Sequence, residues 1–214
     1  MVTWRESSVA SQVAGRGVSL RRMNDEPPMS AQTDSWPRPH RLTVHDYYRM
    51  AEVGVLHPDD RTELIEGEIV DKPPIGDRHG SVVRLLTTRL VRAVGDAAEV
   101  SCQLPVRLSL RSEPQPDFAI VKAKEGGYRK HPHPRDVLLI VEVSDSTLRY
   151  DLGKRASLYA AHGIPEYWVF DLQHDRVWRH RAPGSREYTQ RDEIIEGTLP
   201  LPALDAELNL ADLF

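Results

Sequence analysis

The stretch DVLLIVEVSDST, residues 136–147, contains the most apolar run of the chain and decides the fold. Residues 137–143 are apolar except for Glu142, and a run this short and this apolar predicts a buried strand. An unpaired carboxylate in such a strand costs several kcal/mol or gives up its charge. Glu142 therefore needs a partner from another part of the chain.

Helical and extended patterns alternate around this strand. Val83, Leu86, Leu90 and Val94 recur at helical spacing after His79, and residues 151–165 predict a second helix, with Asp151 as its N-cap and Gly163 beyond its end. Other segments predict a short helix capped by Thr43, a hairpin over 63–70, strands at 99–110, 117–121, 166–172 and 175–181, and a short C-terminal helix within 201–214. This order predicts a mixed α/β (α+β) domain, a central mixed sheet flanked by helices.

Composition limits the class of protein. The 214 residues are 40% hydrophobic with net charge −4, which fits one ordinary domain and argues against binding nucleic acid by bulk electrostatics. The single cysteine, Cys102, excludes a disulfide framework and a thiolate zinc site, so we expect a cytoplasmic protein. No run approaches the roughly 20 apolar residues of a membrane span. Residues 1–40 lack apolar periodicity and predict a disordered tail before a domain over 41–214.

Two carboxylates converge if the neighbouring strands pair in the expected way. An antiparallel register with Ile120 opposite Leu139 also sets Asp117 opposite Glu142. Opposed carboxylates in a half-buried sheet favour a shared proton or a bound cation, and Mg²⁺ takes one or two protein carboxylates. Lys154, early in the following helix, would bring an ammonium group to the pair. The alternative is a structural ion pair of the two carboxylates with Lys154 or Arg149.

Four segments in this order resemble a known family. They are ELIEGEIV (63–70) with PP and RH after it, PQPDFAIV (114–121), LLIVEVSDST (138–147) and RYDLGKRASLYAAHGIPEYWVFD (149–171). Together they look like the Uma-type family, described as restriction endonucleases, a bacterial branch of the PD-(D/E)XK nuclease superfamily. The resemblance covers residues 42–214. It departs from the superfamily pattern at Ser144, which stands where the E-x-K lysine would be.

The resemblance implies a restriction-endonuclease-like core and hydrolysis of phosphodiester bonds in DNA. Asp117 and Glu142 would be Mg²⁺ ligands, with Mn²⁺ able to substitute, and Lys154 would activate the attacking water or stabilise charge on the phosphate. Two further positions match the family. Glu63 would approach the metal, and His79 would contact a phosphate or Glu63.

Several alternatives stay open at this point. Glu63 is also explained as an exposed hairpin charge, and His79 as an ordinary contact at a helix start. The basic loop over 122–135 is either a solvated turn or a contact for flanking DNA, about 17 Å from the carboxylates by strand length. A non-catalytic nucleic-acid-binding or protein-interaction module that keeps the nuclease fold is the competing function. A homodimer is possible, but no dimer surface can be identified from the sequence.

Overall fold

The computed structural model describes residues 37–57 and 59–214, so nearly all of the predicted tail lies outside the described residues. One compact unit spans His40–Phe214. Its helices are α1 (Val44–Glu52), α2 (Asp77–Val94) and α3, which comprises Leu148–Tyr150, a π-helical turn Asp151–Arg155 and Ala156–Ala161. Its strands are β1 (Thr62–Ile65), β2 (Glu68–Asp71), β3 (Ala98–Cys102), β4 (Phe118–Lys122), β5 (Val137–Ser144), β6 (Glu166–Asp171), β7 (Arg176–Pro183), β8 (Tyr188–Ile194), β9 (Thr198–Pro200) and β10 (Glu207–Asn209).

A six-stranded mixed sheet forms the centre, in the order β3-β4-β5-β6-β7-β8. Only the β5–β6 pair in this sheet is parallel, because α3 connects these two strands as a crossover. The most apolar strand, β5, lies inside the sheet between β4 and β6. The predicted fold class is therefore confirmed.

The two faces of β5 belong to two different hydrophobic clusters. Leu139, Val141 and Val143 pack in the cluster that contains the buried residues of α2, whereas Ile140 packs with α3. Because strand side chains alternate, Glu142 lies on the same side as Ile140 and faces α3. This placement determines which helix can supply its partner.

The elements before α2 follow their sequence signals. Thr43 caps α1 in a capping box with Asp46, as predicted. The β1–β2 hairpin turns at Glu66 and Gly67, whose φ angles are 51° and 81°. A Cβ atom at Gly67 would lie 2.8 Å from the Cβ of Arg41, so both the positive φ and the close approach of the chain require glycine there.

Three predictions about secondary structure are wrong. The predicted strand 99–110 ends at Cys102, and Gln103 adopts a positive φ of 51°. The C-terminal segment forms no helix; β9 and β10 pair there, because Leu199, Leu201, Leu208 and Leu210 are buried while Pro200 and Asn209 between them are exposed, the alternation of strand residues. Asp151 does not cap α3, which begins at Leu148.

None of the helices in the described part of the chain is long and apolar enough to cross a membrane.

Candidate active site

The β4–β5 register brings Asp117 and Glu142 together. Ile120 pairs with Leu139, as predicted, and Phe118 pairs with Val141. Continued by one residue, this register places Asp117 opposite Glu142. The backbone N–H of Asp117 donates to Glu142 Oε2 at 3.2 Å, and that of Val143 donates to Asp117 Oδ2 at 2.9 Å. Each carboxylate is thus held by the backbone beside the other.

Glu142 is almost completely buried, with 6% of its surface exposed. Its Oε1 accepts hydrogen bonds from Arg155 Nη1 at 3.1 Å and from the Tyr159 hydroxyl at 3.0 Å. Burial raises the pKa of Glu142 to about 8, with smaller contributions in the same direction from Asp117 and Asp151, although the nearby Arg155 opposes the shift. The position favours a neutral carboxyl group unless more positive charge is brought to it.

Arg155 is the buried cation of the site. It contacts three carboxylates: Nη1 lies 3.1 Å from Glu142, Nε lies 3.2 Å from Asp151, and Nη1 and Nη2 both donate to Glu63. Burial alone would lower the pKa of Arg155, but the surrounding acidic groups raise it well above its ordinary value. One permanent positive charge is therefore shared among three acids.

His79 and Gln103 hold Asp117 from the other side. His79 Nε2 lies 3.2 Å from Asp117 Oδ2, and Gln103 Nε2 donates to Asp117 Oδ1 at 3.3 Å. Burial tends to raise the pKa of Asp117, but the hydrogen bond and charge of His79 and the Val143 N–H bring it below its ordinary value. His79 thus contacts Asp117 and not Glu63, the protein partner that the resemblance suggested.

Glu63 lies inside the site. Its side chain has no exposed surface, and its Oε2 accepts the backbone N–H of Gln115 at 3.0 Å in addition to the contacts with Arg155. The interpretation of Glu63 as an exposed hairpin charge is wrong, because every residue of β1 is buried.

The structure corrects the predicted position of Lys154. Its side chain is exposed and does not line the cavity around the carboxylates, while the next residue, Arg155, points into it. Asp151, Arg155 and Tyr159 are spaced four residues apart and share one helix face. The spacing groups Arg155 and Tyr159 with Asp151, but it does not by itself show that this face of the helix turns towards β5.

Ser144 and Asp151 form a second hydrogen-bonded pair behind the site. The hydroxyl groups of Ser144 and Thr147 donate to Asp151 Oδ2 at 2.6 and 2.5 Å. Ser144, which stands in the place of the superfamily lysine, is fully buried. Its role in the structure is to hold Asp151 against Arg155.

These residues surround a cavity of about 430 Å³. Its acidic lining includes Glu63, Asp117, Glu142 and Asp151, and its basic lining includes Arg61, Lys72, His79 and Arg155. Within residues 37–57 and 59–214, no three His, Cys, Asp or Glu side chains are grouped as a ready-made metal cage. Mg²⁺ does not need one, because it keeps several waters and takes one or two carboxylates. The hard oxygens of Asp117 and Glu142, with the unfavourable burial of Glu142, fit that ion.

The mixed sheet and its paired carboxylates define a protein of the restriction-endonuclease-like fold class. The chain belongs to the Uma2 family, whose model is described as "Putative restriction endonuclease" and matches residues 44–211. Among solved structures, it is similar to "a putative nuclease belonging to DUF820 from Anabaena variabilis ATCC 29413", with a TM-score of 0.63 and 18% identity over 81% of this chain and 97% of that chain. At this identity the likeness concerns the fold alone. No curated protein matches the chain.

Proposed function

We propose that the protein is a Mg²⁺-dependent endonuclease that hydrolyses phosphodiester bonds in DNA. Membership in a family described as restriction endonucleases supports nuclease function in general. The observation that carries the finer proposal is the meeting of Asp117 and Glu142 at neighbouring strands, in a cavity with more acidic groups than buried cations. Mn²⁺ would substitute for Mg²⁺, since both prefer carboxylate and water ligands.

Asp117 and Glu142 would hold the ion in this proposal. When bound, Mg²⁺ would polarise the phosphodiester and lower the pKa of a water molecule. Glu142 would serve as a ligand only when ionised. Binding of the cation would therefore have to overcome the raised pKa of Glu142, which favours the neutral carboxyl group. Glu63 would act through Arg155, because its oxygens already accept from that side chain and from Gln115.

Two side chains keep the proposed ligands in place. Arg155 fixes Oε1 of Glu142 and leaves Oε2 turned towards Asp117. His79 lies against Oδ2 of Asp117 and favours the ionised form of this carboxylate. Both contacts would keep the two carboxylates in one arrangement before a substrate arrives.

Cleavage of DNA by purified protein tests the proposal. Supercoiled plasmid and labelled single- and double-stranded oligonucleotides are incubated with Mg²⁺, with Mn²⁺ and with a chelator. We expect nicking or cutting only with a divalent ion. Asp117→Asn and Glu142→Gln should each abolish it, because each removes one negative charge from the proposed ion site.

Glu125→Gln is the matched control, since Glu125 is exposed in the loop between β4 and β5 and lies outside the cavity. Circular dichroism of each variant establishes that it is folded. Cleavage that persists at the wild-type rate in both folded site variants would refute the proposal.

A non-catalytic binding module is the second candidate function. The observation in its favour is that the second residue after Glu142 is Ser144 and not the lysine of the superfamily pattern, while Lys154 is exposed outside the cavity. This candidate predicts that Mn²⁺ leaves the melting temperature unchanged. A rise with Mn²⁺ that disappears in Glu142→Gln contradicts it and supports the metal site.

A further inference from the structure

The open end of the β1–β2 hairpin carries two cations that the site described above does not use. Arg61 precedes β1, and Lys72 follows β2. The backbone N–H of Lys72 donates to the carbonyl oxygen of Arg61 at 2.6 Å, so the two residues are fixed opposite each other. Both side chains line the acidic cavity.

These two side chains differ from the other basic side chains of the cavity in their partners. Arg155 and His79 contact carboxylates, whereas Arg61 Nη1 donates to the Pro73 carbonyl and Lys72 Nζ to the Gln115 carbonyl, each at 2.6 Å. Within the described residues neither Arg61 nor Lys72 lies in an ion pair. Their positive charge is therefore not neutralised by a neighbouring acid, and each retains further N–H groups that can donate.

A second cavity adjoins the first at this point. It has a volume of about 400 Å³ and is also lined by Arg61 and Lys72, together with Ile75. Its other lining residues include Tyr47, Tyr48, Gln103 and Gln115. Asp60 is the acidic residue of this second lining, and its carboxylate accepts the backbone N–H of His57 at 2.7 Å. The two cations thus stand at the boundary between an acidic cavity and a mostly neutral one.

A phosphodiester that approaches the acidic cavity meets repulsion from its carboxylates. Cations at the boundary offset this repulsion and give the phosphate oxygens charge-assisted hydrogen bonds. Lys72 lines the same cavity as Asp117 and Glu142, and its Nζ is held at the carbonyl of Gln115, two residues before Asp117, so the ammonium group lies near the proposed reaction site.

We propose that Arg61 and Lys72 form a phosphate-binding subsite for the nucleic-acid strand that enters the acidic cavity. This inference rests on the proposed function and assigns to Lys72 the contact with phosphate that the sequence suggested for Lys154. The second cavity would take the nucleotide next to this phosphate, beside the rings of Tyr47 and Tyr48.

DNA binding without cleavage tests the subsite directly. The affinity of a labelled duplex and of the same single strand is measured by fluorescence anisotropy in a chelator, at several salt concentrations. We expect Arg61→Gln and Lys72→Gln each to weaken binding about tenfold at low salt. For the duplex, each should reduce the slope of log K against log salt by about 0.9, the value for one lost phosphate contact.

Arg186→Gln is the matched control, because Arg186 is exposed in the β7–β8 turn and lines neither cavity. Lys154→Gln tests the competing lysine. A wild-type affinity and salt slope in both Arg61→Gln and Lys72→Gln would overturn the subsite. A tenfold loss in Lys154→Gln, with none in Lys72→Gln, would overturn it in favour of Lys154.

The outcome separates the subsite from the nuclease proposal. Cleavage by the wild-type protein with unchanged binding in both variants refutes the subsite alone. Wild-type binding that both variants weaken, without any cleavage in Mg²⁺ or Mn²⁺, supports the subsite and refutes the nuclease. A wild-type protein that neither binds nor cuts DNA refutes both.

Discussion

Replacement of Arg155 by methionine should destabilise the protein strongly. The side chain of Arg155 has 7% of its surface exposed and contacts Glu63, Glu142 and Asp151, whose side chains are 0%, 8% and 6% exposed. Arg155→Met keeps an unbranched side chain about as long as the aliphatic stem of arginine but leaves three buried acids without their shared cation. Removal of one partner from a buried pair costs about 3–5 kcal/mol.

For a domain of this size, 1 kcal/mol corresponds to about 2–4 °C, so we expect a fall in melting temperature of about 6–20 °C. Differential scanning calorimetry or circular dichroism measures it. Arg181→Met is the control, because Arg181 pairs with Asp192 at the surface, where the two side chains are 37% and 46% exposed. A surface pair contributes under about 1 kcal/mol, so this control should melt within about 4 °C of the wild type.

The destabilisation should depend on pH. The folded-state pKa of Glu142 is raised from 4.5 to about 8, so the folded protein retains a proton that the unfolded chain releases between these values. This contribution to stability is present below about pH 4.5 and is lost as the pH rises towards 8. Without Arg155 the loss extends to higher pH, so the deficit of Arg155→Met should be larger at pH 9 than at pH 6.

The double variant Arg155→Met/Glu142→Gln should recover part of the lost stability at pH 9, since one unpaired acid is removed with the cation. The reasoning is refuted if Arg155→Met melts within the range of Arg181→Met, or if its deficit is the same at both pH values.

Three other variants test the same network. In a chelator, Glu142→Gln should be more stable than the wild type at pH 9, and its free energy of unfolding in urea should fall less than that of the wild type between pH 4.5 and 8. An equal fall in both proteins would contradict the assigned pKa. Tyr159→Phe removes a buried donor to Glu142 and should lower the free energy of unfolding by about 1.5–3 kcal/mol; an unchanged urea midpoint would show that the hydroxyl contributes nothing. Ser144→Ala removes a donor to buried Asp151 and should cost about 1–3 kcal/mol by thermal unfolding, against Ser146→Ala as an exposed control; equal melting temperatures would contradict this.

The central strands could be predicted from the sequence because strand periodicity leaves few choices. Asp117 and Glu142 each mark one end of an apolar run, and a register that pairs the runs with their buried faces aligned places the two carboxylates together. The connection between β4 and β5 contains Gly126, Gly127, Pro132 and Pro134, which predict a loop and not a crossover helix, and so favours the antiparallel arrangement. The position of Asp117 and the pairing of Ile120 with Leu139 therefore followed from local pattern alone.

The cation could not be predicted in the same way. Which residue of α3 faces β5 depends on the phase of the helix, and the π-helical turn Asp151–Arg155 sets that phase without a distinctive composition. The burial of Glu63 depends on contacts between residues distant in sequence. The backbone N–H of Glu113 donates to the Leu64 carbonyl at 2.8 Å, which holds the segment around Glu113 against β1. Neither fact is encoded in periodicity.

The π-helical turn of α3 makes chain length at this point as important as residue identity. Such a turn holds one residue more than an α-helical turn, so closing all five of its residues into a regular α-helix would change the phase of the helix beyond them. The segment Ala156–Ala161 would then rotate by about 100° relative to Leu148–Tyr150. Tyr159 would turn away from Glu142, although no side chain of the site had been replaced. Deletion of one residue within the turn, by contrast, would let the helix close regularly with its phase kept, so family members one residue shorter here are expected to present the same side chains to the carboxylate.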